Sequence, residues 1–600
     1  MKNSMLAVAL SAALAVIGGC ATTAPSGATP MDASNFGPVS VSEHRGDDDL
    51  LTAGLGLAGL RAMTPPVFAN PEAPTAAEVR SRAIWSNWRG IADLAPGGGY
   101  GELYGNLVAS PGREFQSLAR LPGANQPHRV LVQVPDNFDQ QARCIVLAPS
   151  SGSRGVLGAI AVAGPWALPK GCAVAYTDKG TGSDYFDLDA GLGIKLDGTS
   201  GGVDDALAFH PDPARGAGVA FKHAHSGDNP EAHWGEHVRQ SAVFALQVLN
   251  SAFPDAKRFS FDNTRVIAVG ISNGGGAVLQ AAQSGPAGDW LDAVVAGEPN
   301  VTVEGARPIY DYTTEAALLM PCALPALGIP AMPTTEAHCA GLAQAGLVHG
   351  DSVAEQQQSA YRALRDSGWT DQALRAGSIS VAFDLWRAVA VTYASAYGRY
   401  PADAHPCGYS FSAVTAEGAA RPATATERAA WSSEASGIAP GSGVAIVSPP
   451  ADPANPLAGL QCLRALWDGQ GADAERVREG VRAVRVTTPT AGLPVMVIHG
   501  LDDGLIPPAF SSAPYVAAAR AAGRDVHHWQ VANVQHFDAF LGLPVYAAQY
   551  LPLLPYVYEA LDRTWAHLQS GAPMPADTVI ATTPRGVGNP LEAHHLAIPR

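Results

Sequence analysis

A glycine-rich pentapeptide between an apolar run and a helix-like stretch constrains the fold of this chain more than any other feature. The run at 265–269 reads Arg-Val-Ile-Ala-Val, and residues 270–274 read Gly-Ile-Ser-Asn-Gly. The glycines of a Gly-x-Ser-x-Gly pattern permit a tight turn from a strand into a helix, which holds the serine hydroxyl above the sheet. The pattern predicts a nucleophile elbow centred on Ser272; the alternative is an ordinary glycine-rich turn whose serine caps a helix.

Several short apolar runs predict a parallel sheet around this turn. They lie at 130–134, 144–148, 172–176, 265–269, 293–296, 494–498 and 526–531. Continuous apolar strands are typical of parallel sheets whose two faces are both covered by helices. Helix-like stretches occur at 237–249, 353–365 and 381–397. We therefore predict an α/β fold of the α/β-hydrolase type, with a mostly parallel sheet and helices on both faces.

In this type of fold the serine is followed along the chain by an acid and then by a histidine. The strand predicted at 494–498 runs into His499 and the segment Gly-Leu-Asp-Asp-Gly-Leu-Ile-Pro. The orienting carboxylate belongs in such a loop, and two adjacent acids, Asp502 and Asp503, compete for the role. The hydrolase pattern His-Gly-x-x-Asp places the acid four residues after the histidine, which favours Asp503.

The candidate base is His536, which follows the last predicted strand and lies 33 residues after Asp503. That spacing leaves room for one helix and one strand. His527 and His528 fall within the strand itself, and His499 precedes the acid loop, where a supporting role is expected. We therefore predict a catalytic triad of Ser272, Asp503 and His536, in which the histidine takes the serine proton and the aspartate holds the imidazole.

Two backbone N–H groups are needed to stabilise the oxyanion of an attacked carbonyl. One donor is expected at Asn273, the residue after the nucleophile. The other is expected in the loop at 149–154, which follows an apolar strand and reads Pro-Ser-Ser-Gly-Ser-Arg. Ser151 or Gly152 is the candidate in that loop.

Four further histidines are close together in the sequence: His223, His225, His233 and His237. They could bind a metal ion, but neither a cysteine nor a His-Glu-x-x-His context accompanies them. We interpret them as part of a polar segment that leads into the helix predicted before the elbow. The sequence therefore predicts neither a metal site nor a cofactor.

The N-terminus has the form of an export signal. Lys2 is followed by an apolar stretch that is too short to span a membrane as a helix, and residues 17–20 read Ile-Gly-Gly-Cys. This tetrapeptide resembles a bacterial lipobox, in which Cys20 is lipidated; the alternative is an ordinary signal peptide with a chance cysteine. We predict an exported protein, secreted or periplasmic, that is tethered to the outer membrane if Cys20 carries lipid.

Six cysteines remain besides Cys20: 144, 172, 322, 339, 407 and 462. An even number in an exported chain allows three disulfides with 15 possible connectivities. The alternative is that several are buried free thiols. None belongs to a Cys-x-x-Cys pair, which disfavours a zinc knuckle or a thioredoxin-type site.

The 600 residues divide into one sheet with long additions rather than several unrelated domains. The predicted segments are a signal peptide (1–19), a tether (20–45), an N-terminal segment with the first part of the core (46–300), an insertion (301–485), the second part of the core (486–570) and a C-terminal tail (571–600). The insertion enters between the elbow and the acid loop, so it should emerge near the site and could act as a lid.

The charge and composition exclude some functions. The formal net charge is −16, which argues against a nucleic-acid binder because such a protein needs a basic face for phosphates. The apolar content of 47% argues against disorder. An acidic, weakly charged, glycine-rich chain is compatible with a soluble exported enzyme, and nothing in the sequence implies a protein partner.

Five segments together resemble the family of D-(−)-3-hydroxybutyrate oligomer hydrolases. They are Asp-Asp-Leu-Leu-Thr-Ala-Gly-Leu-Gly at 48–56, Gly-Gly-Tyr-Gly-Glu-Leu-Tyr-Gly at 98–105, Ile-Ser-Asn-Gly-Gly-Gly-Ala at 271–277, the twelve residues at 499–510, and Gln-His-Phe-Asp-Ala-Phe at 535–540. The resemblance implies a serine esterase that hydrolyses short soluble oligomers to monomers outside the cytoplasm, with Ser272 as the nucleophile. The lipobox is a departure from this family, which is generally secreted.

Two other functions fit parts of the sequence. One is an exported carboxylesterase of the tannase or feruloyl esterase kind, since the elbow and the acid loop are shared by many hydrolases. The other is a non-catalytic surface lipoprotein with a hydrolase fold, because a fold alone does not establish an activity.

Overall fold

The structure is a computed structural model, and it describes residues 35–285, 289–433, 443–450, 452 and 454–599. The predicted signal peptide and Cys20 lie outside the described residues. None of the described helices is both long enough and apolar enough to cross a membrane.

The strands of the described chain fall into three sheets. They are β1 (Ser40–His44), β2 (Gly112–Ala119), β3 (His128–Pro135), β4 (Cys144–Pro149), β5 (Ala173–Thr177), β6 (Tyr185–Asp187), β7 (Leu192–Ile194), β8 (Ser200–Gly202), β9 (Val219–Phe221), β10 (Arg265–Ile271), β11 (Ala293–Gly297), β12 (Ser410–Val414), β13 (Ala420–Arg421), β14 (Val444–Val447), β15 (Val495–Gly500), β16 (Val526–Val531) and β17 (Thr578–Ile580).

The α-helices connect these strands and make up most of the chain between β11 and β15. They are α1 (Gly56–Arg61), α2 (Ala76–Arg89), α3 (Ile160–Ala167), α4 (Lys222–His225), α5 (Trp234–Ala252), α6 (Asn273–Ala281), α7 (Ile309–Ala323), α8 (Thr335–Gln344), α9 (Val353–Asp366), α10 (Asp371–Ala382), α11 (Leu385–Gly398), α12 (Ala425–Trp431), α13 (Ala458–Asp468), α14 (Ala472–Ala483), α15 (Ser512–Ala521), α16 (Pro544–Gln549), α17 (Leu554–Ser570) and α18 (Ala593–Leu596).

The main sheet of the described chain has ten strands in the order β1-β2-β3-β5-β4-β10-β11-β15-β16-β17. The strands from β5 to β17 in this order pair in parallel, whereas β1, β2 and β3 add an antiparallel edge. Helices cover both faces. This arrangement confirms the predicted mostly parallel sheet.

Alternate residues of β10 explain why the apolar runs form this sheet. Ile267 and Val269 point to one face, where they pack in a core with α3 and α17. Val266 and Ala268 point to the other face, where they pack with α5 and α6. Because successive side chains of a strand point to opposite faces, a strand covered on both sides must be apolar throughout.

A second hydrophobic core lies outside the sheet. It is formed by the helices between β11 and β15, including α7, α9 and α11, and by the small sheet β13-β12-β14. Tyr185, Phe221 and Ala224 also belong to it, although they lie between β5 and α5 in the chain. Residues 178–233, which lie between β5 and α5, include the four-stranded sheet β8-β7-β6-β9. This segment thus packs against the predicted insertion, and the sequence did not predict that contact.

The structure differs from the predicted segments at three points. The predicted tether 20–45 includes β1, which pairs with β2 from Ser40 to His44. The predicted tail 571–600 contributes β17 to the main sheet, and Tyr556 Oη donates a hydrogen bond to Leu596 O. The helix predicted at 381–397 is two helices, α10 and α11, because Asp384 adopts a left-handed backbone conformation with φ 54°.

The six cysteines form three disulfides among the described residues: Cys144–Cys172, Cys322–Cys339 and Cys407–Cys462. The first joins the start of β4 to the residue before β5. The other two close loops within the segment between β11 and β15. The prediction of three disulfides is therefore confirmed, and the alternative of free thiols is wrong for these six.

Candidate active site

Ser272 occupies the turn between β10 and α6 with φ 55° and ψ −125°. This strained conformation requires space on both sides of the turn. A Cβ on Gly270 would collide with the backbone of Gly274, and a Cβ on Gly274 would lie 2.6 Å from Pro149 O. Both glycines are therefore required by the packing, and the turn has the geometry of a nucleophile elbow.

The three residues of the predicted triad follow three different strands. Ser272 comes directly after β10, Asp503 lies three residues after β15, and His536 lies five residues after β16. The carboxyl ends of parallel strands meet at one edge of the sheet, which is where open α/β sheets bind their ligands. The fold therefore brings these side chains together from distant parts of the chain.

The side chains form a hydrogen-bonded chain. His536 Nε2 lies 3.0 Å from Ser272 Oγ, and His536 Nδ1 lies 2.7 Å from Asp503 Oδ2. Asp503 is thus the carboxylate in contact with the imidazole. The backbone N–H of the neighbouring Asp502 donates to Val534 O, and burial raises the pKa of the Asp502 carboxyl.

Asp503 is fully buried, but it does not lack partners. Its Oδ1 accepts hydrogen bonds from the backbone N–H groups of Leu505 and Ile506 at 2.8 and 2.7 Å. Burial acts to raise its pKa, but the charge of His536 and hydrogen bonds from His499 and His536 outweigh it and hold the pKa well below its usual range. The carboxylate is therefore ionised at neutral pH, as an imidazole-orienting group must be.

His499 supports the loop that carries Asp503, in agreement with the supporting role predicted from its position before that loop. Its Nδ1 lies 2.7 Å from Ser512 Oγ, and its Nε2 lies 2.9 Å from Ile506 O and 3.2 Å from Asp503 Oδ2. It is completely buried beneath the acid. It fixes the loop and does not reach Ser272.

Glu298 is a second buried carboxyl at the triad, and it was not among the residues predicted from the sequence. It follows β11 with φ 42°, and its Oε2 lies 3.5 Å from His536 Nδ1. Burial, together with the charges of Asp503 and Asp538, raises its pKa well above the usual range. This shift favours the neutral form of Glu298 beside the ionised Asp503.

The predicted oxyanion donors lie at the same cavity as Ser272. Asn273 is the first residue of α6, and the first N–H groups of a helix have no acceptor within the helix. The Ser151 N–H donates to Gly158 O at 3.2 Å, and its Oγ donates to the same oxygen at 2.8 Å. Because the Ser151 N–H is engaged, Gly152 is the remaining candidate in this loop.

Lys179 holds the loop that carries Gly152. It lies just after β5 and is completely buried, and its Nζ donates to Ser150 Oγ, Gly152 O and Thr181 Oγ1 at 2.7–2.8 Å. Burial lowers the pKa of Lys179 to about 7. The Lys179 side chain thus joins two residues of this loop, Ser150 and Gly152, to Thr181 in the segment after β5.

The cavity above Ser272 has a volume of about 120 Å³ and a mostly apolar wall. The segment between β11 and β15 contributes part of that wall through Ile309 of α7 and through Leu385, Val389 and Tyr393 of α11. A small cavity with an apolar wall and a few polar groups suits a short aliphatic ester. The segment predicted as a lid therefore lines the site.

The structure gives each of the four clustered histidines a separate partner. His223 Nδ1 lies 2.8 Å from Ser153 Oγ, His225 Nδ1 accepts the Phe221 N–H, His233 contacts Glu236, and His237 packs edge-on against His128. Within the described residues, the one group of three or more metal-type ligands with closely spaced atoms is Glu298, Asp503 and His536. The metal alternative for the four histidines is not supported.

The geometry of this site defines a class of enzyme. A serine on a strained elbow, a histidine within hydrogen-bonding distance of it and a buried ionised aspartate behind that histidine form the arrangement of serine hydrolases. The protein has this site on a mostly parallel α/β sheet.

The chain belongs to the 3HB-oligomer hydrolase family, whose model matches residues 14–599. It is similar to the D-(−)-3-hydroxybutyrate oligomer hydrolase of Paracidovorax citrulli, with 38% identity covering 91% of this chain and 88% of that protein. It is also similar to the protein of that name from Polaromonas naphthalenivorans, with 35% identity covering 99% and 96% of the two chains.

Solved esterase structures resemble it only distantly. Feruloyl esterase B from Aspergillus oryzae matches with a TM-score of 0.36 and 11% identity, covering 78% of this chain and 82% of that one. The rice cell wall degrading esterase LipA from Xanthomonas oryzae matches with a TM-score of 0.30 and 10% identity, covering 76% and 91%. TM-scores of this size support no conclusion about substrate or mechanism.

Proposed function

We propose that this protein is a serine esterase that hydrolyses short oligomers of 3-hydroxybutyrate to monomers through an acyl-enzyme. The observation that carries the proposal is the chain of contacts from Asp503 Oδ2 through His536 to Ser272 Oγ. The substrate in this proposal is the one named in the description of the family to which the chain belongs.

The reaction follows from this geometry. His536 accepts the Ser272 proton as Oγ attacks the ester carbonyl, and Asp503 stabilises the imidazolium that forms. The N–H groups of Asn273 and Gly152 stabilise the oxyanion, at about 3 kcal/mol for each donor. His536 then protonates the leaving alcohol, and a water molecule activated by the same histidine releases the acid from Ser272.

The test is an assay of the purified protein on the dimer and the trimer of 3-hydroxybutyrate. The wild type should release monomer, and Ser272→Ala should lose about 10⁴-fold or more in kcat, by analogy with other serine hydrolases. Ser570→Ala, which changes an exposed serine at the end of α17, is the matched control and should keep full activity. Absence of monomer release by the wild type, or full activity of Ser272→Ala, would disprove the proposal.

We also propose that the protein is exported and that Cys20 can tether it to the outer membrane. Three disulfides among the described cysteines support an oxidising compartment. The test is fractionation of cells that express the wild type or Cys20→Ala. Wild-type protein in the membrane fraction and the variant in the soluble fraction would support the tether, and an identical distribution of both would remove it.

A further inference from the structure

Phe383 differs from every other aromatic residue of the described chain in its exposure to solvent. Its side chain is 58% exposed, whereas each of the other described Phe, Tyr and Trp residues is buried or half-buried. It directly follows α10, and its backbone N–H donates to Ile379 O at 3.1 Å. A lone exposed apolar side chain is common in proteins, so the meaning of Phe383 depends on what it contacts.

Phe383 is the outer end of a continuous row of rings that begins at the triad. Its ring stacks on that of Phe540, with the centroids 5.3 Å apart and the planes inclined by 10°. Phe540 contacts Phe537 at 4.9 Å, and Phe537 contacts the imidazole of His536 at 4.9 Å. Phe537 also lines the cavity above Ser272. The three phenylalanines, which we call the aromatic path, thus lead from the catalytic histidine to the surface.

The aromatic path is built from two parts of the chain. Its two inner rings follow β16, whereas Phe383 belongs to the segment between β11 and β15. Leu385, two residues after Phe383, lines the catalytic cavity. Tyr546 Oη of α16 donates to Ala376 O of α10 at 2.8 Å, which joins the two parts. The aromatic path is therefore continuous with the cavity wall on both sides.

The reaction determines which part of an ester lies along this path. His536 protonates the departing alcohol, so the alcohol part must lie beside the imidazole, where the aromatic path begins. In an oligomer of 3-hydroxybutyrate, every ester bond has its acyl side toward the free hydroxyl. The leaving alcohol therefore carries all the units between the bond that is cut and the free carboxylate.

The spacing of the rings matches the repeat of such a substrate. Each 3-hydroxybutyrate unit adds four backbone bonds, which span roughly 5 Å when extended. The three ring contacts are 4.9, 4.9 and 5.3 Å long. The methyl and methylene groups of each unit are apolar and can pack on aromatic rings. The free carboxylate at the far end would stay in water beyond Phe383, so its charge would not be buried.

We propose that the aromatic path binds the leaving-alcohol units of oligomers longer than the dimer. This inference rests on the proposed function. Ser272 Oγ forms a new ester with the acyl unit in the cavity, the bond to the alcohol oxygen breaks, and His536 gives its proton to that oxygen. The first leaving unit contacts Phe537, a second reaches Phe540 and a third reaches Phe383. Binding should therefore tighten with chain length up to about the tetramer.

The test compares steady-state kinetics on the dimer, the trimer and the tetramer. Phe383→Ser should raise KM for the tetramer about 3–10-fold, the loss expected for one aromatic contact, and should leave KM for the dimer within about twofold. Phe383→Leu keeps an apolar side chain and should lose less. Leu347→Ser, which changes an exposed apolar residue of the same segment that does not line the cavity, is the control.

A tetramer labelled with ¹³C in its hydroxyl-terminal unit tests the direction of binding. In a single turnover the wild type should release an unlabelled trimer first, and the labelled monomer should appear only when water cleaves the acyl-enzyme. Release of unlabelled monomer in the first step would overturn the proposal, because the acyl part would then be the longer one.

The remaining outcomes separate this proposal from the function on which it rests. A loss confined to the longer oligomers in Phe383→Ser supports the aromatic path. Equal losses on the dimer and the tetramer, unchanged kinetics on the tetramer, or equal KM values of the wild type for all three oligomers would overturn it. A wild type that hydrolyses a simple butyrate ester but none of the oligomers would refute the proposed function itself.

Discussion

Asn273 Nδ2 donates a hydrogen bond to Tyr393 Oη at 3.0 Å, and this contact joins the nucleophile turn to α11 of the segment between β11 and β15. On its other side, Asn273 Oδ1 accepts a hydrogen bond from Asn300 Nδ2 at 2.9 Å. The residue that is expected to donate its N–H to the oxyanion is thus held through its own side chain. Through this hydrogen bond, the buried Tyr393 links α11 of the cavity wall to the predicted oxyanion site.

Tyr393→Phe should therefore reduce catalysis without removing any group of the triad. The change deletes only the hydroxyl, which leaves Asn273 Nδ2 buried without its acceptor and leaves Asn300 to hold that side chain alone. We expect kcat on the dimer to fall about 3–30-fold, in line with the loss of one buried hydrogen bond. Tyr361→Phe, which removes a hydroxyl on α9 that donates to Asp371, is the control. Equal kcat values for Tyr393→Phe and wild type would contradict the prediction.

The two adjacent acids should differ sharply on mutation. Asp503→Asn keeps the shape of the side chain but removes the charge that stabilises the imidazolium and fixes its tautomer. We expect kcat/KM to fall roughly 10³–10⁴-fold, as for the equivalent change in other triads. Asp502→Asn should stay within about fivefold of wild type, because Asp503 makes the contact with His536. The reverse order of effects would make Asp502 the functional acid.

Glu298 should be required for its shape and not for its charge. Burial and the charges of Asp503 and Asp538 raise the pKa of its carboxyl, and Glu298→Gln replaces that carboxyl with a neutral group of almost the same shape. We expect kcat within about threefold of wild type at pH 7. Glu298→Ala leaves a cavity beside His536 and should lower both kcat and the thermal midpoint. If Glu298→Gln were as inactive as Ser272→Ala, the ionised carboxylate would be the working form.

Lys179 should contribute to turnover more than to substrate binding. Lys179→Met fills a similar volume but loses the donors that hold Ser150 Oγ, Gly152 O and Thr181 Oγ1. The loop with the second oxyanion donor would then be less well positioned. We expect kcat to fall about 10-fold or more with a smaller change in KM, measured by steady-state kinetics on the dimer. A change confined to KM would argue against this role.

His44 should make stability depend on pH above neutrality. Burial acts to lower its pKa, but hydrogen bonds to Asp48 and Glu114 raise it to about 9, against the opposing charge of Arg80. Since the folded pKa is above the unfolded value of about 6.5, this stabilisation is complete below pH 6.5. It is lost as the pH rises to about 9 and amounts to roughly 1–3 kcal/mol.

The measurement is the thermal midpoint of unfolding at pH 6, 7.5 and 9. The midpoint of the wild type should fall with pH more steeply than that of His44→Gln. His349→Gln, at an exposed histidine, is the control and should keep the wild-type slope. Parallel curves for wild type and His44→Gln would show that the histidine does not contribute.

The residues of the triad could be predicted because each follows a strand with a recognisable local pattern. Ser272 lies in a pentapeptide whose glycines are required sterically, and the spacing from His499 selected Asp503 over Asp502. Glu298 also follows a strand, β11, and that position is the signal that could have identified it. Its role depends on its distance from His536, which no local pattern contains.

The second core was harder to predict because its parts are far apart in the sequence. Tyr185 packs with Trp431, which lies 246 residues later, and Phe221 packs with Phe411, which lies 190 residues later. Hydrophobic periodicity reports which face of an element is buried but not against which partner. The same limit applies to Lys179, since a buried lysine can be recognised only when its three acceptors are known.

The order of the cysteines along the chain has a consequence for how the protein matures. The six cysteines after Cys20 pair as neighbours in the sequence: 144 with 172, 322 with 339, and 407 with 462. No described pair encloses or crosses another. Provided that Cys20 takes no part, a chain that enters an oxidising compartment from its N-terminus therefore reaches the native pairing if each later cysteine joins the next unpaired one to emerge, and its oxidation needs no later exchange of partners.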